Sequence, residues 1–126
     1  MKLFEISLRL AGFPLKAAQE QLTEILNVSE NEYGTFVEKK KSEIVVFHLK
    51  NNSFYRELCK GKNVENWDDL PVLTKADLQQ PLSQRLSEGF LEKNIFVNKT
   101  SGSSGTPFIF AKDKHAHALT WAQIIR

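Results

Sequence analysis

Hydroxyl and glycine residues are concentrated in one short stretch of the chain, residues 100–108, with the sequence TSGSSGTPF. The two glycines permit positive φ and a close approach of the main chain, and hydroxyls together with backbone N–H groups can donate to several oxygens of one phosphate. Ser103 and Ser104, between the glycines, are expected to contribute most. The stretch predicts an anion-binding loop for phosphate whose candidate binding residues are Thr100, Ser101, Gly102, Ser103, Ser104, Gly105 and Thr106.

Two structural alternatives have a similar composition, a flexible Gly/Ser linker and an ordinary hairpin turn. The linker is disfavoured because the run is short and joins two apolar, strand-like segments, 94–97 and 108–110. The residues alone leave the choice between a phosphate loop and a hairpin turn open. A Walker A loop is excluded, because Gly105 is followed by Thr106 and Pro107 rather than by lysine and a hydroxyl residue.

A second block, residues 67–78 with the sequence WDDLPVLTKADL, precedes the loop. Together the two blocks resemble the adenylate-forming (AMP-binding) superfamily, in particular the phenylacetate–CoA ligases and the CapK-like adenylyltransferases of capsular polysaccharide biosynthesis. The resemblance extends over residues 54–126, whereas residues 1–50 match only in being helical. Phe108 stands where the wider superfamily most often has a lysine after the proline. A cation for the outgoing pyrophosphate is therefore missing at that place, a position at which the phenylacetate–CoA ligase group also varies.

The resemblance implies an ATP-dependent ligase that activates a small carboxylate as an acyl-adenylate, with CoA or another nucleophile as acceptor. Loop 100–107 would bind the β- and γ-phosphates of ATP, which acts with Mg²⁺ in such enzymes. The adenine, metal and lysine motifs of the family would lie beyond Arg126, so no catalytic residue is assigned and residues 1–126 alone are expected to be inactive. The final helix, apolar and without a capping glycine, also leads us to expect that more chain follows.

Composition and charge exclude several other classes of protein. The chain has 126 residues and a net charge of +2, too close to neutral to indicate nucleic acid, and the run Lys39–Lys41 is interpreted as a solvated helix face. Cys59 is the single cysteine, which excludes an intrachain disulfide, and we interpret it as a small core residue. No apolar run has the length of a membrane span and no signal peptide is evident, so the cytoplasm is the expected location. His115 and His117 fall on different helix faces, so no metal site is predicted.

The pattern predicts a mainly α fold with one β-hairpin carrying the loop, as the N-terminal part of a larger α/β enzyme domain. The predicted regions are 1–61 (helical), 62–93 (linker and short helices), 94–111 (hairpin with the phosphate loop) and 112–126 (a last helix). Helices are expected over 14–27, from Ser29, from Ser53 to about Gly61, from Thr74 over two turns, and from Asp113. The expected apolar faces are Tyr33, Phe36, Val37, Ile44 and Phe47 on the second helix, and Ala118, Trp121, Ala122 and Ile125 on the last.

A function of another class is left open by the same residues. The helices of residues 14–60 have apolar stripes that could bind a partner or favour self-association, and the Gly/Ser loop would then be only a hairpin turn. In that case the chain is a small, non-enzymatic interaction module.

Overall fold

A computed structural model describes residues 2–102 and 105–126. As predicted, it is mainly helical with one antiparallel hairpin. In the hairpin, Ile95 pairs with Asp113 and Lys99 with Ile109. Within the described ranges, no helix has the length and apolar character needed to cross a membrane. The elements are α1 (Lys2–Leu10), α2 (Leu15–Leu26), α3 (Glu30–Asn51), α4 (Ser53–Leu58), α5 (Leu82–Arg85), β1 (Ile95–Lys99), β2 (Ile109–Asp113) and α6 (Lys114–Ile124), with single 3₁₀ turns at Trp67–Asp69, Asp77–Gln79 and Glu92–Asn94.

The main core is formed by helices near the two ends of the chain. Ala18 on α2 and Ala118 and Ala122 on α6 are almost fully buried, and such small side chains let the two helix backbones approach closely. The predicted stripe of α6 is confirmed, as Trp121 and Ile125 pack against this cluster. Asp113 caps α6 as predicted, accepting from the Ala116 N–H at 2.6 Å. Helix α1, which lies in the region predicted to be helical, adds Leu8 to the core.

An aromatic cluster joins the hairpin to α6. The imidazole of His117 stacks on Phe96 of β1 with ring centroids 3.8 Å apart, and its Nε2 accepts a hydrogen bond from Trp121 Nε1 at 3.1 Å. His115 contacts Gln21 of α2 instead, 2.5 Å away. The two histidines therefore point in different directions, as their spacing predicts, and His117 fixes how the hairpin sits on the helical core.

Helix α3 departs from its predicted apolar face. Val45 is its buried residue, whereas Tyr33, Ile44 and Phe47 are 59%, 47% and 39% exposed. Phe36 and Val37 are half-buried, so the prediction was wrong at Tyr33, Ile44 and Phe47. Residues 64–70 and α4 lie along the C-terminal half of α3, and Val45 is the side chain that becomes buried there. Ser29 does precede the helix as predicted, but its hydroxyl contacts the Glu32 carboxylate at 2.5 Å instead of accepting from a backbone N–H.

Asn52 lies between α3 and α4 and caps the N-terminus of α4, so the predicted cap at Ser53 was wrong. Its Oδ1 accepts from the Tyr55 N–H at 2.9 Å, while its Nδ2 donates to the Arg85 carbonyl at 2.9 Å and to Ser87 Oγ at 3.0 Å. The side chain is buried, with 5% of the residue exposed. Ser53 is instead the first residue of α4, which ends at Leu58, and Cys59 is buried beside it as predicted. Asn52 thereby ties the helical region to the segment that leads to the hairpin.

Substitution of Asn52 by Ala should lower the free energy of unfolding by about 2–3 kcal/mol, because it removes the cap of α4 and leaves the partly buried Tyr55 N–H and Arg85 carbonyl without this partner. Urea denaturation measures this. Asn51→Ala is the matched control, since the Asn51 side chain bonds only within α3, to the Phe47 carbonyl, and it should cost less than about 1 kcal/mol. Equal losses in the two variants would contradict the role given to Asn52.

The stability of the fold should fall with acid through His117. Burial, and secondarily the charge of Lys112, lower the pKa of His117 below its ordinary value. As the pH falls below about 6.5, His117 becomes protonated in the unfolded chain before it does in the folded chain. The free energy of unfolding therefore declines until the pH reaches the lower pKa of His117 in the folded chain. Denaturation at about pH 7.5 and about pH 5.5 should show a larger drop for the native chain than for His117→Phe, which keeps the ring stack. An identical drop in both would exclude His117 as the source.

Candidate phosphate-binding site

The neck of the Gly/Ser loop is closed by two hydrogen bonds between Thr100 and Phe108. The Thr100 N–H donates to the Phe108 carbonyl at 2.9 Å, and the Phe108 N–H donates to Thr100 Oγ1 at 2.9 Å. The pairing of the hairpin thus continues one step beyond Lys99 and Ile109. The Thr100 hydroxyl hydrogen remains able to donate to a ligand.

Gly102 and Gly105 both adopt positive φ, +68° and +129°. A Cβ at Gly102 would lie 2.8 Å from the Gly105 carbonyl oxygen and 2.9 Å from Cγ of Pro107, so no side chain fits there. The Gly105 N–H donates to the Gly102 carbonyl at 3.0 Å and is engaged inside the loop. A phosphate could use that N–H only if the bond opened. Ser103 and Ser104, the hydroxyls expected to contribute most, lie outside the described residues.

The loop and the block 67–78 meet in one cavity of about 380 Å³. Thr100, Ser101 and Gly102 form one side of it, and Thr74 and Lys75 form another. Gly105 and Thr106, although part of the predicted set, are exposed and do not line this cavity. Apolar surface completes the lining, from Leu73, Leu78 and Phe108. The lining therefore brings together two hydroxyl residues of the loop, a glycine and a lysine, which are residue types that can donate to an anion.

A compact turn places Lys75 at the cavity. The Thr74 N–H and hydroxyl both donate to Asp77 Oδ2, at 2.8 and 2.6 Å, and these bonds lower the pKa of the Asp77 carboxyl. The two-turn helix predicted from Thr74 was not found, since the chain forms a single 3₁₀ turn, Asp77–Gln79. Gln80 is extended, with ψ of 146°, as residues before proline tend to be, and Pro81 then caps α5.

Lys75 is the functional candidate that sequence reasoning missed. It is exposed, as predicted, but it also lies in the lining of the cavity beside the loop. The lysines that follow the loop in sequence are directed elsewhere: Lys112 Nζ contacts Thr120 Oγ1 at 3.3 Å, and Lys114 Nζ lies 5.9 Å from the Phe13 ring centroid. Block 67–78 contains this lysine, but nothing local in the sequence indicates that it lies beside the loop.

Comparison of the chain with protein-family models, with curated proteins and with solved structures found no match in any of the three. Across residues 2–102 and 105–126, no cluster of three His, Cys, Asp or Glu side chains is arranged to hold a metal ion. The function of the chain must therefore be inferred from the residues and geometry of the cavity.

Gly102→Ala should destabilise the protein by about 1–3 kcal/mol, because alanine would combine a strained positive φ with a contact to the Gly105 carbonyl. Gly34→Ala is the control with the opposite sign. Gly34 lies within α3 with no atom near a new Cβ, so alanine there should stabilise by about 0.5–1 kcal/mol. Urea denaturation compares the free energies of unfolding of the two variants. An unchanged free energy of unfolding in Gly102→Ala would show that the loop does not require glycine.

Proposed function

We propose that this chain is the N-terminal portion of an AMP-forming adenylating enzyme of the acyl- or aryl-CoA ligase or adenylyltransferase type. Loop 100–107 would bind the β- and γ-phosphates of ATP. The observation that supports the proposal most strongly is the shared cavity, since the two sequence blocks that carry the resemblance contribute Lys75 and the loop to the same lining.

In the proposed reaction, a carboxylate oxygen attacks the α-phosphorus of ATP, and the bond to pyrophosphate breaks. Negative charge accumulates on the departing pyrophosphate. The hydroxyls of the loop and the Lys75 ammonium would stabilise that charge and hold the phosphates in position. Lys75 would thus supply the positive charge that is missing after Pro107, where this chain has Phe108 and the wider superfamily most often has a lysine. The acyl-adenylate would then transfer its acyl group to CoA or another nucleophile.

The donor set of the cavity fits phosphate better than it fits the accompanying metal. The Thr100 hydroxyl keeps a hydrogen that it can donate, and Lys75 carries the opposite charge to a phosphate. The described lining contains no carboxylate, and Asp77 nearby is bonded to Thr74. Residues outside this cavity would therefore have to bind the Mg²⁺ of ATP, and we derive no step through it.

A second candidate function, the interaction module, is favoured by exposed apolar side chains on the helices. Leu3 and Leu10 on α1 are each 84% exposed, and Val46 on α3 is 60% exposed. Surface of this kind can bind another protein or a second copy of the chain. The module requires no ligand at the loop, so a phosphate titration separates the two candidates.

Pyrophosphate should shift the backbone NMR signals of Gly102, Thr100 and Lys75 when it is titrated into the protein, and Lys75→Gln should weaken its binding by about tenfold or more through loss of a charge-assisted contact. Lys16→Gln is the matched control. It removes the same charge from α2, where Lys16 pairs with Glu20 on an exposed face, and it should leave the affinity nearly unchanged.

Shifts confined to the loop and sensitive to Lys75 would support the phosphate site. Equal weakening by both substitutions would indicate a non-specific charge effect. Complete absence of shifts at the loop would favour the interaction module.

A further inference from the structure

We propose that a cavity between α3 and residues 64–70 binds a small aliphatic diamine. This ammonium cavity has a volume of about 590 Å³, which is within the range of small-molecule sites. It shares no lining residue with the cavity beside the Gly/Ser loop, so the inference does not depend on phosphate binding there. The observation that carries it is an ammonium group of the chain itself, which already lies between an indole ring and a carboxylate of this lining.

Lys41 supplies that internal ammonium group. Its Nζ lies over the Trp67 ring, 5.2 Å from the ring centroid, and 2.8 Å from Glu38 Oε1. A cation within about 6 Å of an indole face is attracted by the negative charge of that face. The Lys41 side chain is only 33% exposed, although the run 39–41 was expected to be a solvated helix face. The aromatic and acidic groups of this cavity are therefore arranged to hold an organic cation.

Lys41 does not balance the charge of the lining. Glu65 and Asp68 line the cavity together with Glu38, which gives three carboxylates against one ammonium group. Among the residues that the structure describes, neither Glu65 nor Asp68 forms an ion pair. Two further positive charges would neutralise the lining, and a diamine brings two in one molecule. The charge of the cavity thus favours a dication over a monocation or a neutral ligand.

The rest of the lining is mostly apolar and suits an aliphatic stem. Val45, Val46 and Leu49 of α3 contribute to it, together with Val64 and Leu70. Each methylene group that leaves water for contact with such side chains favours binding. A short methylene chain with an ammonium group at each end therefore matches both the apolar and the acidic parts of the lining.

Two local structures bring the site together. Glu38, Lys41 and Val45 recur at helical spacing and so lie on one face of α3. Facing them, the 3₁₀ turn Trp67–Asp69 is capped by Asn66, whose Oδ1 accepts from the Asp68 N–H at 3.3 Å. The Asn66 amide also donates to Asp69 Oδ2 at 3.0 Å, and Asp69 does not line the cavity. Trp67 and Asp68 are thereby held beside the α3 face.

The test uses 1,4-diaminobutane, 1-aminobutane as a single ammonium on the same stem, and 1,4-butanediol as the neutral analogue. Binding is followed at low ionic strength by the two tryptophan indole N–H signals in NMR spectra. Trp67 lines the cavity, and Trp121, which packs on the core, is an internal control. The diamine should shift the Trp67 signal alone and should bind about threefold to tenfold more tightly than 1-aminobutane, whereas the diol should cause no shift.

A matched pair of substitutions tests the carboxylates. Asp68→Asn should weaken binding of the diamine by about threefold, because it removes a charge from the lining. Asp69→Asn removes the same charge from the next residue, outside the lining, and should change the affinity much less. Equal weakening by the two substitutions would show a general charge effect and overturn the site.

Lys41→Gln gives the most specific result. It should strengthen binding of the diamine by about threefold or more, because it removes the internal competitor and leaves Glu38 and the Trp67 ring to the ligand. A lysine with a purely structural role would not give stronger binding when it is removed. Lys39→Gln is the control, since Lys39 pairs with Glu43 outside the lining and its loss should leave the affinity nearly unchanged.

Three further results would overturn the proposal. The first is a Trp67 signal that the diamine does not shift, or shifts no more than the diol does. The second is equal affinity for the diamine and 1-aminobutane, which would indicate a site for one ammonium group, such as the lysine side chain of a partner protein. The third is unchanged or weaker binding of the diamine in Lys41→Gln.

Discussion

The buried amide of Asn52 is the constraint on which the rest of the structure depends. It caps α4 and at the same time holds the backbone of Arg85 and the hydroxyl of Ser87. The neighbouring Asn51 carbonyl accepts from the Glu88 N–H at 2.7 Å, which adds a second link at the same place. The Arg85 side chain continues the connection to Gln80 and to Ile109 of β2. A chain of hydrogen bonds therefore runs from the helical region to the hairpin.

The proposed phosphate site illustrates how a loop without its own cation can have a lysine from another segment beside it. The closed neck at Thr100 and Phe108 sets where the loop begins, and the Thr74–Asp77 turn sets where Lys75 stands. Neither segment is part of a long regular element. The apolar residues Leu73, Leu78 and Phe108 complete the lining of the cavity in which the two segments meet.

Local signals in the sequence predicted much of the fold. The hairpin, the helix after Pro14 and the cap at Asp113 follow from turn, periodicity and capping residues, and all are confirmed. Tertiary contacts decided what was missed. Asn52 outcompetes Ser53 as a cap because its longer amide also reaches a segment more than thirty residues away. Val45 is buried, rather than the predicted face of α3, because of what lies against it, and the approach of Lys75 to the loop has no local signature.

The pairing of α2 with α6 has a consequence for how the chain folds during synthesis. The core residues Leu15, Ala18 and Leu22 find their partners Ala118 and Ala122 only after about a hundred further residues have been added. Contacts of such high sequence separation form slowly, since a long loop must close before they bring any gain. While the ribosome makes α3 to β2, the apolar sides of α1 and α2 remain uncovered. We expect this uncovered apolar surface to make the nascent chain prone to association until α6 emerges.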